Sequence, residues 1–91
     1  MLAESIVKQK IREFIFSYFI KDSGLVLEDD TSFLEEGVID STGVMELVAF
    51  IEETFGIRLE DEEIIPDNID SINKLIKYIQ SKSVVNLRRG M

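Results

Sequence analysis

The sequence predicts an all-α fold: a four-helix bundle with a long loop after the first helix and a short third helix. Three observations lead there. Apolar residues recur at helical spacing in three separate stretches, and no pair of segments alternates as paired strands do. Hydrophobic residues make up 45% of 91 residues and there is no cysteine, so a core must close by packing alone.

The first helix is expected from Ala3 to Ile20. Val7, Ile11, Phe14, Ile15 and Tyr18 form its buried stripe. Ile6, Phe16 and Ile20 lie off that stripe, and the sequence leaves their exposure open. KDSGLVLEDDTSFLEEGVI then shows no sustained period. A loop this long in a small domain is packed or functional, and Leu25, Leu27, Phe33, Leu34, Val38 and Ile39 are the residues to pin it. Asp29 and Asp30 do not make a calcium loop, because the alternating acids and mid-loop glycine of such loops are missing.

The second helix is expected to start near Ser41 and to stop at Phe55, with Gly56 as its C-terminal stop. Its inner stripe is Val44, Leu47, Val48, Ile51 and Phe55, with Phe50 at the boundary. A short third helix is expected within EDEEII, ended by Pro66. Asp70 or Ser71 caps the last helix, whose stripe is Ile72, Leu75, Ile76 and Ile79. Residues 1–82 read as one domain and residues 83–91 as a flexible tail without a clear period.

The net charge is −8, and from Glu28 to Glu63 there are thirteen acids against one base, Arg58. That face repels phosphates, so nucleic acid is not an expected partner; a basic protein surface is its complement. With neither histidine nor cysteine, the commonest general base, the thiol nucleophile and thiolate metal sites are all lacking. No catalytic residue and no metal site is assigned. MLAESIVKQK begins helical and charged, and no apolar run reaches membrane-spanning length, so a cytoplasmic protein without membrane insertion is expected.

Ser41 sits where the irregular stretch GVID meets a helical pattern. Asp40, Ser41 or Thr42 can each cap that helix. The same end of a helix has unpaired N–H groups and a positive dipole, so it stabilises a phosphate placed on a hydroxyl there. Ser41 need not attack anything; it can be the acceptor of a phosphodiester.

The run DDTSFLEEGVIDSTGVMELVAFIEETF resembles the acyl carrier protein and phosphopantetheine-binding family. Gly37, Asp40 and Ser41 match the glycine followed by D-S that opens the family's second helix. Glu46-Leu47 matches its E-L, and Glu52, Glu53 and Phe55 its acidic-aromatic end. GIRLEDEEIIPDNIDSINKLIKYI resembles the remainder. Gly43, and three positions between Gly37 and Ser41, look more like aminoacyl and specialised carriers than like fatty acid carriers.

The resemblance implies 4′-phosphopantetheine, derived from coenzyme A, on Ser41, with Asp40 and Thr42 beside it. It implies a carrier rather than an enzyme, shuttling a thioester-bound acyl or aminoacyl group. It also implies a phosphopantetheinyl transferase, a loading ligase and an acceptor transferase or synthase with basic docking patches. Glu35, Glu36, Met45, Glu46, Ala49, Glu52 and Glu53 would meet those patches, on a carrier expected to be a monomer. An acyl chain, if sheltered, would lie against Val48, Ile51, Ile64, Ile65, Ile69 and Ile72. The alternative is an acidic helical interaction module of the same fold that bears no cofactor.

Overall fold

The computed structural model describes residues 3–21 and 24–89, with side chains as far as residue 82. Helix α1 runs Glu4–Ile15 and buries Val7, Ile11 and Ile15. The periodicity of the sequence continues α1 as a plain helix, but Phe16–Ile20 is a π-helical turn. The wider turn rotates the side chains that follow. Tyr18, expected on the buried stripe, is 57% exposed, and Ile20 enters the core instead. Ile6 and Phe16 are exposed.

Residues 24–40 form an irregular segment that is packed against the helices. Leu27, Phe33, Val38 and Ile39 are buried and Leu25 is half-buried, whereas Leu34, expected as a pin, is largely exposed, since its neighbour Phe33 takes the buried place at that turn. Polar bonds fix the segment at two places. Asp29 takes Lys8 at 2.8 Å and Arg12 at 3.0 Å, while its carbonyl accepts the Asn73 N–H at 3.0 Å. Further on, the buried Asp70 carboxylate accepts the Ser32 hydroxyl and the Leu34 N–H, and the Asp70 carbonyl accepts the Phe33 N–H.

Helix α2 runs Ser41–Phe55 and buries Leu47, Val48 and Ile51; Val44, Phe50 and Phe55 are half-buried at its edges. Gly56, at φ 67°, ends it in the left-handed conformation that glycine adopts without steric cost. A 3-10 turn at Asp61–Glu63 occupies the place expected of the short helix, and the short helix itself, α3, is Pro66–Ile69. Pro66 therefore opens a helix as well as closing the turn before it: its missing N–H costs nothing at the first helical position. Asn68 then donates to the Glu63 carbonyl at 2.8 Å, tying α3 back to the turn.

Helix α4 runs Ile72–Arg89. Ser71 caps it, its hydroxyl accepting the Lys74 N–H at 3.1 Å, which leaves Asp70 free to hold the loop. Ile72, Leu75, Ile76 and Ile79 fill the core between α4, α1 and α2. The expected change at residue 83 from domain to tail falls on side chains outside the described residues. The described residues contain no strand, and none of their helices is long and apolar enough to cross a membrane.

Candidate functional site

Ser41 is the first residue of α2 and is exposed. The turn before it is set by Gly37 at φ 70°, whose N–H reaches the Leu34 carbonyl at 3.3 Å, and by Val38 and Ile39, both buried. Two apolar anchors immediately upstream hold the chain down while Asp40, Ser41 and Thr42 face outward. Asp40 caps α2: its Oδ1 accepts the Gly43 N–H at 2.7 Å, and its carbonyl accepts the Val44 N–H at 3.0 Å. The N–H groups of Ser41 and Thr42 meet no acceptor among the described residues. An exposed hydroxyl beside two leftover N–H groups at a positive helix end fits a phosphodiester on Ser41.

Gly43 is buried against α1's extension. A Cβ there would lie 2.9 Å from Phe19 Cε1 and 3.0 Å from Ile39 Cγ2, so any larger residue would have to displace the Phe19 ring and the Ile39 side chain. The sequence marks this residue as unusual but gives no reason for it; its partner is 24 positions away.

The acidic residues expected to face partners divide by use. Glu35, Glu36, Glu46 and Glu53 are exposed, as are Met45 and Ala49. Glu52 is half-buried, and its carboxylate accepts the Leu59 N–H at 2.9 Å, so it pins the chain that leaves α2. Tyr18 was not expected on this side. The Glu46 carboxylate near it pushes the Tyr18 phenol up from its ordinary range, chiefly through its charge.

The lining expected for an acyl chain is largely solid core. Val48, Ile51, Ile69 and Ile72 are buried, while Ile65 is 41% exposed and lines nothing internal. A small space under α2 has a volume of about 10 Å³, close to one water, and of the expected set only Ile69 borders it; Phe33, Leu34, Ile39, Val44, Leu47 and Asp70 supply the rest. Outside the core, an open groove of about 420 Å³ runs beside α2 between Met45, Val48, Ile57, Arg58 and Ile64.

Residues 14–79 match the family model described as the phosphopantetheine attachment site. The chain is also 32% identical over 79 residues to acyl carrier proteins of Buchnera aphidicola subsp. Acyrthosiphon pisum, strains 5A and Tuc7; the match covers 86% of this chain and 94% of each relative.

Proposed function

The chain belongs to the phosphopantetheine-attachment family, and on that premise we propose that Ser41 bears the arm and that a short acyl or aminoacyl group rides on it. Membership makes it a carrier domain rather than a catalyst and implies the 4′-phosphopantetheine group. When bound, that group supplies the thiol for a thioester, which no side chain of this cysteine-free protein supplies. The observation that carries the assignment to Ser41 is its exposed hydroxyl at the start of α2, inside the matched residues and capped by Asp40.

Asp40 holds the helix end in place, and the N–H groups of Ser41 and Thr42 hold the phosphate's negative charge. Glu35, Glu36, Glu46 and Glu53 steer basic patches on a phosphopantetheinyl transferase, a loading ligase and an acceptor enzyme. The close packing of Val48, Ile51, Ile69 and Ile72 under α2 supports a small or polar cargo that stays in water, with the arm along the groove beside Met45 and Val48.

Incubation with a phosphopantetheinyl transferase and coenzyme A tests the assignment by intact mass. Wild type is expected to gain one phosphopantetheine and Ser41→Ala none; a modified Ser41→Ala protein would overturn it. For the cargo, octanoyl and alanyl groups on the holo-protein are expected to leave the amide shifts of Val48, Ile51 and Ile72 nearly equal. Large shifts with octanoyl alone would show that the core opens.

A further inference from the structure

We propose that Tyr18 and Glu46 together seat an arginine side chain of the transferase that modifies Ser41, so that the docking surface of α2 extends onto the π-turn of the first helix. The proposal rests on the carrier reading above and deepens it.

The π-turn is where the helical period of the sequence and the fold part company. A plain helix would carry Tyr18 on the stripe of Val7, Ile11 and Ile15; the wide turn brings it out, and such turns recur at functional sites. Its placement is specific. Phe14 stacks on Phe50 of α2 with centroids 4.0 Å apart and planes at 7°, and Tyr18 stacks on Phe14 at 5.1 Å and 28°. A column of three rings thus leads from α2 out to Tyr18. The next residue, Phe19, packs over Gly43, two positions after Ser41, which locks the π-turn alongside the first turns of α2. Phe50 and Glu46 are four residues apart and share one face of α2, so the ring column sets Tyr18 on the face that carries Glu46. The raised phenol of Tyr18 records that carboxylate as its neighbour.

An aromatic ring next to an acidic group, both open to water, suits one cation better than others. A guanidinium is planar: it lies flat on a ring face while its forked N–H groups meet a carboxylate, whereas an ammonium, which can also reach both as Lys82 does with Tyr78 and Glu63, covers less of the ring and lacks the fork. The net charge of −8 makes the partner basic. Glu46 stands five residues along α2 from Ser41, about 7.5 Å of helix rise, within the footprint of any enzyme acting on that hydroxyl. An exposed tyrosine retained only to complete the ring stack would leave the transferase indifferent to its removal.

The test measures transfer from coenzyme A to Ser41 by a phosphopantetheinyl transferase of broad carrier specificity, read as KM and kcat by intact mass. Tyr18→Phe keeps the ring and is expected to stay within about twofold of wild type. Tyr18→Leu and Tyr18→Gln should each raise KM about threefold to fivefold with kcat unchanged; two variants guard against a folding defect, checked by circular dichroism. Glu46→Gln should raise KM as well, and the Tyr18→Leu, Glu46→Gln double variant should fall short of the product of the two. Argininamide should inhibit transfer to wild type more than lysinamide does, and this difference should vanish in Tyr18→Leu. An unchanged KM in Tyr18→Leu and Tyr18→Gln, a strictly multiplicative double variant, or equal inhibition by the two amides would overturn the proposal. If wild type gains no mass at all, the carrier reading fails instead.

Discussion

The segment that leads into α2 and the segment that leaves it are both tied by carboxylates, and two of these ties, at Asp70 and at Glu63, lie at different depths. Asp70, 8% exposed, accepts the Ser32 hydroxyl and the Leu34 N–H and so holds the loop that ends at Ser41. Glu63 accepts the Glu60 N–H at 2.9 Å and Lys82 of α4 at 3.0 Å, with a quarter of both side chains still in water. Around Asp70 the loop also buries Phe33, Val38 and Ile39, whereas the 3-10 turn that holds Glu63 buries none of its own residues. A hydrogen bond to a buried carboxylate is expensive to lose because water replaces it poorly; one at the surface is replaced by solvent. The approach to Ser41 is therefore held at greater depth than the turn at Asp61–Glu63.

If depth decides, removing Asp70 has the largest effect. Asp70→Ala orphans the Ser32 hydroxyl and the Leu34 N–H and should cost about 2–3 kcal/mol in urea unfolding; a cost under about 1 kcal/mol would make the two ties equivalent. The glycines that flank α2 serve as a matched control. Gly37 and Gly56 both have positive φ and nothing within 4 Å of a built Cβ, so alanine at either should cost about 1–2 kcal/mol, nearly the same in both segments. Lys82→Met should cost about 1 kcal/mol or less and should lose most of its effect in high salt.

The smallest effect is a titration. The Tyr78 hydroxyl beside it, the Glu60 N–H and the Lys82 ammonium hold the Glu63 carboxyl well below the usual range, at about 2. A depressed carboxyl stabilises the fold above its ordinary value of 4.5, and that contribution fades as pH falls from there through about 2. The Glu60 amide proton shift should follow this with a midpoint near 2, while a midpoint near 4 would mean the turn is already loose in the folded protein.

What the sequence made legible was local. The stripe of Val7, Ile11 and Ile15, the span Ser41–Phe55 and the stop at Gly56 follow from spacing and backbone preference within one element. Ser41 was visible because a glycine, a cap and a helical pattern meet within a few residues. What stayed hidden depends on distant partners. Asp70 and Ser71 were both candidate caps of the last helix, and only the fold shows that Ser71 takes that role while Asp70 holds Ser32, 38 residues away. The π-turn, the crowding of Gly43 by Phe19, and the placement of Tyr18 toward Glu46 join residues of two separate elements, which no window of one helix contains.

The π-turn also has a meaning in the language of insertions and deletions. It holds one residue more than an α-helical path through the same space needs. Deleting Ser17, which is exposed, would return Phe16–Ile20 to the α-helical period and leave α1 upstream in register. Phe19 would then fall where the apolar stripe takes its next residue, and Tyr18 would swing away from the face of Glu46. A single codon loss would thus remove the geometry that sets the first helix beside Ser41.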